Sequence, residues 1–254
     1  MLGQKWDIVC SSICDSGDIR EINQDAILVR YERIKGILTG IFVVADGCGG
    51  LAHGERISRM IAERCLELWE EKKEEFAAHQ SEEIIKKTVS DRMDKINEEA
   101  RRYGNEIEKR VGSTMSMLWL VGKKYYIFHT GDSRVYRYHR GKLDRLTEDQ
   151  SLLADKIRNH EITAAEAERF QRKNVLTMCV GFFEKLQLFI NFGRAHKYDV
   201  FLLCSDGFYN VMDDVSMKNL FPRFITEDSA LALRQMIPDE RAGDNISVIV
   251  FQLF

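Results

Sequence analysis

The chain has 254 residues, 44% of them hydrophobic and 30% charged, with a formal net charge of −3 at pH 7. This is an ordinary globular balance with enough apolar residues for a substantial core. It excludes a global basic field, and with it a nucleic-acid or anionic-membrane partner recruited by net charge. No apolar run is long enough to cross a bilayer, and Met1 to Cys10 lacks a signal-peptide pattern. Six cysteines are scattered, and Cys10, Cys65, Cys179 and Cys204 lie in apolar runs. They read as reduced core residues of a cytoplasmic protein. Cys10 and Cys14 are four apart, but no second Cys/His pair follows at zinc spacing. Only Pro222 and Pro238 occur, and no Ser/Gly/Pro-rich linker breaks the chain, so one domain over residues 1–254 is expected.

Three strands are predicted first: Trp6 to Cys14, Ala26 to Tyr31 and Gly40 to Ala45. The turn Asp15 to Asp18 and the loop Ile19 to Asp25 separate the first two. Two helices follow. The first, about His53 to Phe76, carries Ile57, Met60, Ile61, Cys65 and Leu68 on one face; the second begins at the N-cap Ser81 and carries Ile85, Val89, Met93, Ile96, Ala100 and Tyr103. From Gly112 the period becomes two, with Met115, Met117, Trp119 and Val121 as one alternating series. Gly122-Lys123 turns the chain into a strand from Tyr125 to Thr130, and strands at Val135–His139 and Leu143–Leu146 follow. Residues 147–173 interrupt the strands with helix-prone segments at Ser151–Arg158 and Thr163–Arg172, a candidate lid. Strands at Leu186–Phe192 and Asp199–Cys204, helices at Val215–Phe221 and Ser229–Ile237, and a final strand from Ile246 to Phe254 complete the chain.

The most informative stretch is Val43-Val44-Ala45-Asp46-Gly47-Cys48-Gly49-Gly50, where a buried strand delivers one carboxylate to a loop almost free of side chains. Asp-Gly is also an ordinary turn. Repetition gives it weight: Asp46, Asp132, Asp206 and Asp244 each adjoin a glycine at a strand mouth, and Asp25 opens a strand. Carboxylates gathered at one end of a sheet repel one another unless a cation lies between them. They are therefore either dispersed in the fold or hold a divalent ion, and hard oxygen suits Mg²⁺ or Mn²⁺. A helix–loop–helix calcium site lacks its D-x-D-x-D-G run. Arg20, on its residues alone, reads as a surface ion pair with Asp18 or Glu21.

The ordered set Arg20-x-x-Asn23-Gln24-Asp25, Asp46-Gly47-x-Gly49-Gly50, Gly112-Ser113-Thr114, Gly131-Asp132-Ser133-Arg134, Leu146-Thr147-x-Asp149, Ser205-Asp206-Gly207 and Gly243-Asp244-Asn245 resembles the metal-dependent protein phosphatases of type 2C, especially their compact bacterial members. The resemblance covers nearly the whole chain. It implies an α+β fold, a four-layer α-β-β-α sandwich of two antiparallel sheets flanked by helices, forming a single catalytic domain with a flap at about residues 151–175. It implies hydrolysis of phosphoserine and phosphothreonine on proteins, opposing a serine/threonine kinase, by a monomer with two Mn²⁺ or Mg²⁺ ions and a weaker third. Asp46 would bridge the two ions, with the Gly47 carbonyl on one and Asp206 and Asp244 on the other. Asp132 and Asp206 would hold the third ion, Asp25 would act through metal-bound waters, and Arg20 would clamp the substrate phosphate. The attacking group would be a water made acidic by the two ions.

Three positions depart from the family pattern. Cys48 stands where some members carry a histidine proposed as general acid; His53 is the nearest replacement, and a thiolate at Cys48 beside metal would be oxidation-sensitive. Gln150 replaces the histidine usual after Leu-Thr-x-Asp, and Leu176 to Gly181 lacks the usual Arg-Ala-Leu. The competing reading is a catalytically weak or inactive scaffold or sensor module on the same fold that binds a phosphorylated regulator.

Overall fold

The structure, a computed structural model, describes residues 6–48, 51–221, 225–238 and 241–254, so Gly49 and Gly50 of the opening loop lie outside the described residues. Ten strands form two five-stranded sheets. One has the order β1 (Ile8–Asp15), β10 (Ile246–Leu253), β9 (Val200–Cys204), β6 (Arg134–His139) and β7 (Lys142–Arg145). The other has the order β2 (Asp25–Ile34), β3 (Ile37–Asp46), β4 (Met115–Val121), β5 (Lys124–Thr130) and β8 (Phe189–Arg194). Every neighbouring pair is antiparallel.

Strand β4 explains the layering. Its odd residues, Met115, Met117, Trp119 and Val121, pack against α1 (Gly54–His79) and α2 (Glu82–Glu106), among Ile57, Ile61, Val89 and Met93. Its even residues Leu118 and Leu120 face the other sheet, among Phe201, Ile249 and Phe251. A strand buried on both faces is apolar in both alternating series, and here the one exception, Ser116, has its hydroxyl hydrogen-bonded to His129 and the Ser133 carbonyl. A third cluster joins Tyr136, Leu202, Val248 and Val250 of the first sheet to Met217 of α6 (Asp214–Leu220) and Leu233 of α7 (Ser229–Gln235). The architecture is the expected α+β sandwich of four layers.

Local signals hold with small shifts. Ser81 caps α2, its Oγ accepting the Ile84 N–H at 3.4 Å, and Thr163 with Glu166 forms a capping box on α4 (Ala164–Glu168). That helix is shorter than the predicted Thr163–Arg172, and α3 spans Leu152–Arg158. Strand β8 begins at Phe189, three residues later than expected, where pairing with His129 of β5 starts. A four-residue helix, α5 (Asp206–Tyr209), follows β9 where no element is predicted from the sequence. Among the described residues no helix is long and apolar enough to cross a membrane.

The register fixes which ends coincide. Asp25, the first residue of β2, pairs with Asp46, the last of β3. Strand β9 runs through Ser205 directly into α5, Asp244 lies two residues before β10, and Asp132 lies in the turn between β5 and β6. All five carboxylates thus leave the sandwich at one end.

Trp119 is fully buried, with ring centroids 5.6 Å from Trp69 and 4.9 Å from Phe76. It ties the helical layer to the sheet. Trp119→Ala is expected to cost about 3–5 kcal/mol in urea unfolding; a loss below about 1 kcal/mol would mean that α1 is not anchored on β4.

Candidate active site

Backbone contacts position Asp46. Its N–H donates to Thr114 Oγ1 at 3.0 Å, and its carbonyl accepts from Ser113 Oγ at 2.9 Å and the Thr114 N–H at 2.8 Å. Thr114 Oγ1 and Ser133 Oγ lie 2.6 Å apart, linking this support to the Asp132 turn. The Gly112-Ser113-Thr114 motif is therefore a cradle for Asp46. Gly47 admits no side chain: a Cβ there would lie 2.4 Å from the Gly54 carbonyl carbon and 2.7 Å from the Gln24 oxygen. Gly207 is as restricted, since a Cβ would lie 2.1 Å from the Asn245 oxygen. That close approach seats α5 against the start of β10 and brings Asp206 beside Asp244.

Asp46, Gly47, Asp132, Asp206, Asp244 and Arg20 all line one cavity of about 410 Å³, together with Cys48 and Thr114. Asp25 lies beneath this floor. It is 8% exposed, and neither carboxylate oxygen has a hydrogen-bond partner. Burial, then the charges of Asp206 and Asp244, pushes it up to about 7. Burial, then Asp206 and Asp149, pushes Asp132 up to about 8. Asp46 rises well above the carboxylate range through burial and then the charges of Asp25, Asp206, Asp132 and Asp244; Asp206 rises through burial and then Asp244. An orphaned buried carboxylate beneath mutually repelling acids is a donor set suited to hard divalent cations.

Arg20 forks onto Asp244, Nε to Oδ1 and Nη2 to Oδ2, both at 3.0 Å. It does not pair with Asp18, which accepts from Arg234 Nη2 at 3.0 Å. The loop carrying Arg20 is stapled by Asn245, a role its place in the Gly243-Asp244-Asn245 motif did not reveal. Its Oδ1 accepts the Gln24 N–H at 2.9 Å, and its Nδ2 donates to the Ser16 and Ile22 carbonyls at 2.9 and 3.2 Å.

The departures from the family pattern find structural roles. Gln150 Oε1 accepts the Gly131 N–H at 3.0 Å while its Nε2 donates to the Gln187 carbonyl at 3.0 Å, bracing the Asp132 turn. In the metal-free protein the interaction with Cys179 first and burial second push the Cys48 thiol well up. His53 is not a wall of the cavity: it precedes α1 with φ 54° and sits edge-on to Tyr103 at 6.1 Å. Leu152 N–H donates to the Val175 carbonyl at 2.7 Å, closing the base of the 151–175 segment, whose Asn174 and Val175 join Leu176 on the cavity wall.

A different group, His139, His196 and Asp199, brings three donor atoms within 4.8 Å of one another at the far end of β6. Arg137 already occupies it, donating from Nε to Asp199 Oδ2 and from Nη2 to His196 Nδ1, both at 2.9 Å. His139 Nδ1 and the His196 N–H complete the shell of the buried Asp199. It is a satisfied carboxylate rather than a metal centre.

The family described as Protein phosphatase 2C matches residues 20–236. The serine/threonine phosphatase stp of Listeria monocytogenes is 30% identical over 243 residues, covering 94% of this chain and 93% of its own. The structure of the serine/threonine phosphatase Stp1 from Staphylococcus aureus superposes with a TM-score of 0.85 at 24% identity, over 96% of this chain and 94% of that one. The catalytic domain of the serine threonine protein phosphatase PstP, solved in complex with 2 manganese ions, superposes with a TM-score of 0.80 at 21% identity, over 98% and 99%. At these identities the superpositions speak for the fold.

The raised carboxylates give a pH signature. Asp25 and Asp132 stay protonated in the folded, metal-stripped chain up to about 7 and 8, against an ordinary 3.8. The stability they contribute is fully present below the ordinary value and lost as pH rises through 7 and 8. Buried His129, pushed down to about 4 from 6.5, acts oppositely, but only below 6.5. Between about pH 6.5 and about pH 8.5 the EDTA-stripped protein is therefore expected to lose thermal stability, and Mn²⁺ to restore more at the higher pH, because the ion binds ionised ligands. A Mn²⁺-induced rise in Tm that is larger at the lower pH would contradict this.

Proposed function

The chain belongs to the protein phosphatase 2C family, and from that membership and the convergence of its aspartates we propose that Asp46, the Gly47 carbonyl, Asp206 and Asp244 hold the divalent ions on which its activity depends. The activity is metal-dependent removal of phosphate from phosphoserine and phosphothreonine in proteins. The all-oxygen donor set favours Mn²⁺ or Mg²⁺, two ions in the core and a weaker third at Asp132 with Asp206. When bound, the ions supply a water acidic enough to attack phosphorus at neutral pH and positive charge opposite the phosphoryl oxygens.

The protein's own residues do the rest. Arg20 exchanges Asp244 for the substrate phosphate, since the same planar fork fits both anions. Asn245 holds the loop that presents it. Asp25 orients water through its two unpartnered oxygens. Among the described residues no histidine lines the cavity, so the leaving oxygen takes its proton from water. Residues 151–175 act as a flap within a single catalytic domain, with Val175 and Leu176 against the substrate. The phosphorylated substrate implies an opposing serine/threonine kinase. We place the enzyme in the cytoplasm as a monomer; its six unpaired cysteines support a reducing compartment.

One observation carries this reading: carboxylates from four separate segments meet Arg20 at one cavity, with Asp25 buried beneath them. Mn²⁺-dependent turnover of p-nitrophenyl phosphate is expected, abolished by EDTA and lowered about 10³-fold in Asp206→Ala, which is also expected to lose the Mn²⁺-induced rise in Tm. Arg20→Ala is expected to lose about 10–100-fold in kcat/KM for a phosphopeptide. Absent turnover in Mn²⁺ with phosphopeptide binding retained would reinstate the inactive scaffold.

A further inference from the structure

The C-terminal turn of α2 and the chain after it form a second pocket, of about 210 Å³, beside the catalytic cavity. Arg101 and Asn105 come from the helix, Lys109 and Arg110 from the following segment, and Phe182 closes it. No carboxylate lines it. Two other arginines of this helical layer are paired with carboxylates, Arg64 with Glu99 and Arg92 with Glu71. Arg101, Lys109 and Arg110 pair with no carboxylate among the described residues.

The backbone builds this concentration of charge. Glu108 takes φ 53°, and the Lys109 N–H donates to the Gly104 carbonyl at 2.9 Å, folding Lys109 and Arg110 back over the helix end. Gly104 has no room for a side chain, since a Cβ would lie 2.9 Å from the Lys109 oxygen. A cation at a helix C-terminus is favoured by the helix dipole. That accounts for a basic residue there, not for three around one concavity without a counter-ion.

The pocket adjoins the catalytic cavity. Phe182 is a wall of both. The Arg110 guanidinium lies 5.2 Å from the Phe182 ring centroid, and the Arg110 carbonyl accepts the Ala52 N–H at 3.1 Å, next to cavity-lining Leu51. A chain whose phosphoresidue sits against Arg20 would pass this wall.

We propose that the pocket binds a second anionic group, a phosphate or a carboxylate, carried by the substrate polypeptide within a few residues of the phosphoserine or phosphothreonine being hydrolysed. Substrates with clustered phosphates or acidic flanks are then preferred over neutral ones. The proposal rests on the phosphatase reading above. Guanidinium forks suit either anion, and Lys109 adds a point charge.

The test uses the full chain in Mn²⁺ and sets of phosphothreonine peptides. Each set carries alanine, glutamate or a non-hydrolysable phosphonate at successive positions on either side of the phosphothreonine. At one or more positions the anionic peptide is expected to show about tenfold higher kcat/KM than the alanine peptide. Glutamate and phosphonate arms separate an acidic flank from a second phosphate. The preference is expected to shrink with added salt and to fall to within about twofold in the Arg101→Ala, Lys109→Ala, Arg110→Ala triple variant, and to survive in part in Arg110→Lys. Wild-type turnover of p-nitrophenyl phosphate without any anion preference overturns the pocket and leaves the phosphatase standing. A preference that persists undiminished in the folded triple variant also overturns it. Failure of the wild type on p-nitrophenyl phosphate itself sinks the underlying activity instead.

Discussion

The structure depends on holding carboxylates together that would rather separate. Asp25, Asp46, Asp132 and Asp206 raise one another's proton affinity, and the fold opposes their repulsion with backbone contacts as well as the charges of Arg20 and Arg134. Thr114 and Ser113 grip the main chain at Asp46, and Gly207 lets α5 settle onto Asn245. These positions lie at the ends of core strands whose apolar faces form the bulk of the sandwich. A site strained this way is preorganised for cations, and its cost is carried by hydrophobic burial elsewhere.

Arg20 takes the part of a cation in this arrangement. Its fork closes on Asp244, one of the oxygens proposed for metal, and both partners are exposed enough that the pair is weak. Exchange of that partner for a phosphate is therefore inexpensive. What must not move is the loop. Asn245 ties Ser16, Ile22 and Gln24 into one unit immediately after Asp244, so the arm proposed to bind phosphate and a carboxylate proposed to bind metal share a mount. Displacement of Asn245 would disturb both functions together.

The layered fold was legible because burial on two faces leaves a periodic trace. Strand β4 alternates two apolar series, and α1 and α2 each show one apolar stripe. The aspartates were legible because glycines mark the points where backbone must pass close. Other features were not. The bracing by Gln150 and Asn245 depends on carbonyls far away in sequence, which leave no local pattern. The choice of Asp244 over Asp18 for Arg20 is a tertiary outcome 224 residues apart along the chain. Helix α5 spans only four residues, too few for helical periodicity to register.

Chemistry and selectivity occupy different kinds of structure. The carboxylates sit where strands end, fixed by register and by glycines that tolerate no side chain. The walls a substrate would meet come from connecting segments: Asn174 to Leu176 at the close of the helical insertion, Phe182 and Phe183 after it, and the basic turn beyond α2. The departures at Gln150 and Leu176 to Gly181 fall on or beside these walls. Gln150 braces the Asp132 turn with its amide. A chain built on this division can redirect which phosphoprotein it accepts by rewriting loops, with the carboxylate-bearing end of the sandwich left as it is.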